Sequence, residues 1–307
     1  MSETIAIARI LEYESTLLDS AVGLVLKEAG IKPDPRSRVL VKPNLISSTN
    51  AEHSCTNARI TAAACRYLLD CGAYVTVADS PAFGTVNSVA RASCLDYELS
   101  RIAMNVSPMR RPRSVRLRSG RKIAVSRDAL EADLIVSIPR LKVHGQMRVT
   151  GAVKNLFGCV VGFRKAFAHR RFPDMEQFRS MIMDLYEILP PKAALMDAVR
   201  PMHRDGPTKG EPFDLGLIAA SHDPVALDTA MYDLLDLTPE AVPLWAEAVK
   251  RDLPGARPDS LVYPLEKPDS FDATGFVIPE VLDPIRFQPM RLAKGRLRSL
   301  LKRFTKD

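Results

Sequence analysis

ADLIVSIPRLKVHGQMRVTGAVKNLFGCVVG, residues 132–162, is the stretch that decides the fold. Leu134-Ile135-Val136-Ser137-Ile138 is an apolar run rich in β-branched side chains, and Pro139 ends it. A short run without alternation reads as a strand covered on both faces, the kind found inside parallel sheets. Lys142, His144 and Arg148 follow at once, and Thr150 opens a short helical segment carrying Lys154 and Asn155. Gly151, Gly158 and Gly162 mark close backbone approach or a sharp turn. Cations and an amide therefore crowd the carboxyl end of a buried strand, where open α/β sheets bind ligands.

Outward from this stretch, strands and helices alternate. On the N-terminal side, residues 4–10 and 38–41 read as strands, and 15–29 as a helix that Gly30 ends. A polar loop from Ser47 to Thr56 precedes a helix over about 57–71, and 74–78 is a further strand ending at Asp79-Ser80-Pro81. Short connections between such elements imply a right-handed parallel sheet. Residues 110–126, basic and alternating around Ser119-Gly120, read as an exposed antiparallel hairpin inserted into the sheet domain. On the C-terminal side, 174–189 is an amphipathic helix, 193–197 a short strand, 201–212 a Gly- and Pro-rich loop, and 215–220 a strand. Asp223-Pro224 starts the next helix, with proline at its first position. His169-Arg170-Arg171 reads as an exposed basic loop.

Composition narrows the class. A chain of 307 residues that is 46% hydrophobic and 26% charged reads as a large soluble globular protein. The first residues lack a basic, apolar leader pattern and no apolar run approaches a membrane span. The five cysteines form no C-x-x-C pair, so no iron–sulfur or zinc motif is present. These features together lead us to expect a cytoplasmic protein with reduced thiols. The net charge of +7 resides in residues 286–307, which hold eight basic residues and one acid. The remainder balances, which argues against nucleic acid as a partner. Within that tail Ala293, Leu297, Leu300, Leu301 and Phe304 share one helical face, a basic amphipathic pattern suited to docking on its own fold, on a partner or, weakly, on a membrane surface.

Three strands end in polar residues: Lys42 and Asn44, Asp79 and Ser80, Lys142 and His144. Adjacent parallel strands bring such residues to one edge, where Asp197, the 205–210 loop, Asp223 and Asp228 arrive from the C-terminal half. Clustered lysines compensate carboxylate or phosphate charge, and a crowded or desolvated lysine has a lowered pKa. Imidazole carries protons near neutral pH, which makes His144 the expected acid/base. Taken singly, each of these residues also has an ordinary structural role open to it: Asp79 as a turn cap, His144 as a hydrogen-bonding loop residue. Asp197, His203 and Asp205 are of a type that could bind a divalent metal, but their spacing matches no metal motif, and no metal site is expected. Phosphate-loop, dinucleotide-binding and nucleophile-elbow motifs are all missing.

Six segments carry a resemblance: VKPN at 41–44, TNARIT at 56–61, VTVADSP at 75–81, the stretch 132–158, MDAVRPMHRDGPTKGEP at 196–212 and AASHDPVALD at 219–228. In this order, over roughly residues 37–236, the sequence resembles the prokaryotic family catalogued as domain of unknown function 362. The resemblance implies importance for Lys42, Asn44, Asp79, Lys142, His144, Lys154, Asn155, Gly158, Asp197, Gly206, Gly210, Asp223 and Asp228. Some relatives add a ferredoxin-like module with cysteine-rich motifs, which this chain lacks. The element order is also similar, in architecture alone, to the N-terminal half of lactate racemase-type proteins, which use a nickel-pincer cofactor; such likeness does not carry function.

We therefore expect an α/β protein with a mainly parallel sheet flanked by helices, an antiparallel hairpin insertion at 110–126 and a basic C-terminal helix. Residues 1–236 should form the α/β domain, 237–285 an extension packed on it, and 286–307 the tail. The expected activity is that of an enzyme acting on a small anionic, carboxylate-bearing substrate by proton transfer or by redox chemistry with an external electron-transfer protein. Lys42, Asn44, Lys154, Asn155, Gly158, Gly206 and Gly210 would bind it, and His144, Lys142, Asp79 and Asp197 would carry the chemistry. No cofactor is specified. The alternative is a non-catalytic anion-binding or accessory module, recruited to a partner or membrane surface by its tail.

Overall fold

The computed structural model describes residues 2–162 and 164–285. A ten-stranded mixed sheet runs through it. Val106–Pro108, Tyr74–Asp79, Arg38–Pro43, Leu134–Ile138 and Lys192–His203 lie side by side in parallel. Leu217–Ser221 pairs antiparallel with Lys192–His203, and Ala6–Arg9 pairs antiparallel with Leu217–Ser221 at the far edge. The protein is thus an α/β fold with a large, mostly parallel sheet flanked by helices.

Leu134–Ile138 sits between Arg38–Pro43 and Lys192–His203, and Ile135, Val136, Ser137 and Ile138 are wholly buried. Successive strand residues face opposite sides. Ile135 and Leu40 enter one core with Leu156, Phe178, Leu227 and Trp245, while Val136, Ile138, Val39 and Val41 enter the other with Leu26, Ile60 and Leu68. Helices Leu18–Glu28 and Ala58–Asp70 supply the second core, and Met175–Ile188, Pro224–Leu234 and Pro243–Lys250 the first. The helix starts follow the capping residues: the Asn57 side chain accepts from Arg59 N at 2.9 Å, and Asp223 from Val225 N at 2.8 Å. Gly30, with φ +72°, turns the chain out of Leu18–Glu28.

Several sequence expectations are corrected. Pro139 does not end the extended chain: Arg140–His144 continues as a strand, antiparallel to Arg148–Thr150 and parallel to the later half of Lys192–His203. Proline removes a donor without bending a chain whose φ is already extended, and the Pro139 carbonyl accepts from Asp197 N at 2.9 Å. His144 is therefore at a strand end and not in a loop. Lys192–His203 likewise runs through Pro201, where a loop was expected. The register against Arg140–His144 shifts between Asp197 and Met202, so no ladder donor is needed there. Residues 169–171 close a helix, Arg164–Arg171, rather than a loop. Short helices Val86–Ala92 and Leu95–Ser100 had no counterpart in the sequence reading.

The hairpin is present as Pro112–Arg116 against Lys122–Ser126, but it forms its own two-stranded sheet, joined to the body through a bridge from Val125 to Val160. Residues 237–285 pack on the first core through Trp245, Phe271 and Ile285, and Leu261–Val262 pairs with Glu3–Thr4. The expected tail helix at 286–307 lies outside the described residues.

Candidate functional site: a buried lysine group at the sheet edge

Lys42 near the end of Arg38–Pro43 and Asp79 at the end of Tyr74–Asp79 do converge. Lys42 Nζ lies 2.7 Å from Asp79 Oδ1, and both side chains are almost fully buried. Asp79 Oδ1 also accepts from Ser80 N at 2.8 Å and Oδ2 from Leu45 N at 2.8 Å. Lys42 Nζ donates to Asn155 Oδ1 at 2.9 Å and to the Pro43 carbonyl at 3.0 Å. Asn155 Nδ2 donates to the Lys42 carbonyl at 3.1 Å and to Ser137 Oγ at 3.0 Å, and Asn155 Oδ1 also takes Asn44 Nδ2 at 3.1 Å. Lys142 Nζ donates to Asn44 Oδ1, and to the Ser54 carbonyl at 2.8 Å. The amides of Asn44 and Asn155 thus hold the lysines in place.

Glycine is required at 158 because a Cβ there would collide with Lys42 Nζ and come within 2.8 Å of Asp79 Oδ1. Gly206 packs against the Val143 carbonyl with no room for a side chain, which lays the 204–210 loop on Arg140–His144. That loop is tied to the opposite side of the site by Asn50 Nδ2, which donates to the Thr208 carbonyl at 3.1 Å and the Gly210 carbonyl at 3.4 Å. Gly206 and Gly210 therefore shape the rim.

Lys154 rides on the helix Ala152–Leu156, whose first amides, Ala152 N and Val153 N, are capped by Asp228 at 2.6 and 3.0 Å. Burial pushes the Asp228 carboxyl up to about 7 despite those two hydrogen bonds. The Lys154 ammonium lies 5.1 Å from the centre of the Phe157 ring and, among the described residues, makes no hydrogen bond or ion pair. A further cation was missed in the sequence: Lys165 donates to the Ser80 carbonyl, and Gly162 N donates to Ser80 Oγ at 3.0 Å. Its signal was the pair Lys165 and His169 at helical spacing, four residues apart, beside the apolar Ala168 and Phe172.

Of the four ammonium groups, Lys42 pairs with Asp79 and Lys165 feels its charge, while Lys142 and Lys154 make no ion pair among the described residues. Desolvation lowers Lys142 to about 7 even though Cys55 opposes the shift, with Lys154, Arg140 and Lys42 adding repulsion. Burial, with Lys42 nearby, lowers Lys154 to about 8. Burial lowers Lys165 to about 8 even though Asp79 opposes the shift. His144 is held well below its ordinary value by burial, Lys154, Lys142 and His169, so its imidazole is neutral at pH 7. Its Nδ1 accepts from Gln146 N at 3.1 Å, which assigns the ring proton to Nε2. A neutral ring in this tautomer donates a hydrogen bond. Of the lysines, Lys142 titrates closest to neutrality.

Asp197 does not join this group. Its carboxylate accepts from Arg140 Nε at 3.1 Å, Tyr13 Oη at 2.8 Å and Asn57 N at 2.8 Å, and Arg140 Nη2 donates to Tyr13 Oη at 2.7 Å. Neither Asp79 nor Asp197 orients His144. Asp223 caps Pro224–Leu234 and accepts from Tyr186 Oη at 2.8 Å. His203 packs at a tilt against Phe213 and Phe276 and accepts from Val277 N at 3.2 Å. Arg148, at φ +60°, clamps the carbonyls of Ala241, Pro279 and Glu280. Among the described residues, no group of three or more His, Cys, Asp or Glu side chains is arranged to hold a metal ion.

A mostly parallel sheet whose carboxyl edge gathers lysines around two asparagines defines an α/β protein with a cationic edge site. The chain belongs to the family described as Domain of unknown function (DUF362), which matches residues 39–233. It is 30% identical over 315 residues to a thylakoid-associated protein of Synechocystis sp., covering 100% of this chain and 97% of that one. Among solved structures it is similar to the lactate racemase apoprotein of Thermoanaerobacterium thermosaccharolyticum, with 15% identity and a TM-score of 0.47. That match covers 73% of this chain and 55% of the racemase. A Thermotoga maritima protein matches with 10% identity and a TM-score of 0.40, over 67% of this chain and 54% of that one. The chain thus spans about half the length of these two solved structures. No helix among the described residues is long and apolar enough to cross a membrane.

Proposed function

We propose that this protein is a cytoplasmic enzyme that binds a small, carboxylate-bearing anion at the lysine group and moves a proton next to a carbonyl. One observation carries the reading: among the described residues, Lys42, Lys142, Lys154 and Lys165 outnumber the carboxylate that pairs with the group, Asp79. Buried charge without a counter-charge is costly, and an arriving anion removes that cost. Lys154 and Lys165 hold the carboxylate, and Nε2–H of His144 donates to the substrate carbonyl. Lys142, with its value near 7, takes and returns the proton. Lys42–Asp79, Asn44 and Asn155 hold these groups in register. A redox step with an external electron carrier is the other chemistry this site would serve.

The test is hydrogen–deuterium exchange into a panel of 2-hydroxy and 2-oxo carboxylates in D₂O, followed by NMR. Exchange at the carbon next to the carbonyl, abolished by Lys142→Met, is expected. Absence of exchange, together with no heat on titrating oxalate, would remove the enzyme reading.

A second reading, recruitment to a membrane surface, is favoured by the Synechocystis relative, whose name records thylakoid association. The basic residues of 286–307 are the segment we assign to it. Deleting 286–307 should release the protein from isolated membranes while oxalate binding stays unchanged.

A further inference from the structure

The balanced charge of residues 1–285 hides a concentrated basic surface. Residues 110–127 hold no acid and eight basic side chains, of which Arg111 pairs with Asp128 and Glu131 and Arg118 with Glu187. Arg164–Arg171 adds Arg164, Lys165, Arg170 and Arg171, again with no acid. The two segments adjoin: Arg121 Nη1 donates to the Arg171 carbonyl at 2.6 Å, and the Arg121 guanidinium covers Phe172 at 5.3 Å. Within the hairpin Arg116 stands directly across from Lys122 on the same face. Like charges so placed are destabilising unless something negative meets them. Arg113, Arg116, Lys122 and Arg170 are exposed and make no ion pair with any described residue.

Two aromatic rings stand out near these cations. Phe167, 54% exposed, shares the outward side of its helix with Arg164, Arg170 and Arg171. Phe83, also 54% exposed, lies three residues beyond Ser80, which takes hydrogen bonds from Gly162 and Lys165. Guanidinium groups pair with phosphate in a planar fork, and aromatic rings among cations settle at the headgroup boundary.

We propose that this face, the hairpin 110–127 with the outer side of Arg164–Arg171, docks on an anionic membrane surface. It goes beyond recruitment by the tail, since it assigns docking to the folded body. The helix involved turns Lys165 inward to the candidate site and its arginines outward, so docking sets the site against the membrane.

The full-length chain is sedimented with phosphatidylcholine vesicles, with and without phosphatidylglycerol. Wild type should bind only the phosphatidylglycerol vesicles, less so at high salt. The variant Arg113→Ser, Arg116→Ser, Lys122→Ser, Arg170→Ser should lose about tenfold or more in partitioning, each cation near an anionic surface being worth several-fold. Its melting temperature is measured alongside. Should it melt early, protection of Lys122 from amine acylation by vesicles on the wild-type chain answers the same question. A variant that partitions like wild type would leave docking to the tail alone and overturn the proposal. So would wild type that ignores the vesicles, including one retained instead on nucleic acid.

Discussion

Two buried ion pairs lie on the same sheet and are built differently. Arg140–Asp197 is closed: a guanidinium, a carboxylate, the Tyr13 hydroxyl and the Asn57 amide satisfy one another, and the charges cancel. Lys42–Asp79 is open: its charges cancel too, but Lys142, Lys154 and Lys165 crowd it with no carboxylate of their own. A closed pair serves the fold. An open one leaves positive charge that the fold alone does not explain, and this is where we assign function.

The comparison breaks most visibly at Asp197. Asp197→Ala strands a buried guanidinium and should cost about 3–5 kcal/mol in urea unfolding, while the folded fraction still binds oxalate with wild-type affinity. If oxalate affinity fell instead and stability held, the two pairs would have exchanged roles. Lys154→Met should do the reverse. Its ammonium has no hydrogen bond to lose among the described residues, so stability should change by less than about 1 kcal/mol, whereas oxalate affinity should fall about tenfold to a hundredfold, as for a lost charged hydrogen bond. Calorimetric titration of a folded variant checks it.

Gly158→Ala sharpens the comparison from the open side. The added methyl displaces Lys42 from Asp79, so a loss of about 1–3 kcal/mol is expected, as for overpacking, together with weaker oxalate binding. The smallest effect is that of pH. Lys142 titrates at about 7 and Lys154 and Lys165 at about 8. Oxalate binding should be strongest below pH 7 and fade as pH rises through 7 and 8. Stability moves the other way. An unfolded lysine keeps its proton to its ordinary value near 10.5 while the folded one releases it earlier, so the folded state gains as pH rises between the two.

Much of the fold was legible because each signal was local. The run 134–138, the asparagine and aspartate caps at 57 and 223 and the glycine at 30 each act within a few residues. The strands through Pro139 and Pro201 were not legible, since pairing with distant chain overrides what proline usually signals. At the site, strand-end placement brought out Lys42, Asp79 and Lys142. It did not tell which carboxylate belongs to which cation: Arg140, hidden beside Pro139, takes Asp197 from 57 residues away. Nor did residue type reveal the tautomer of His144, which depends on the Gln146 amide. The two halves of the basic face were legible, at 110–126 and 169–171, but not that they adjoin, because Arg121 reaches the Arg171 carbonyl across 50 residues of chain.

The most direct measurement is an NMR titration of lysine side chains labelled at Cε, with and without oxalate. Three lysines should titrate far below the ordinary value, at about 7 for Lys142 and about 8 for Lys154 and Lys165, assigned by single Lys→Met variants. Oxalate should raise all three, because the anion stabilises their charged forms. Lysines that titrate near 10.5, or depressed values that oxalate leaves unmoved, would contradict the claim that this group is an anion site.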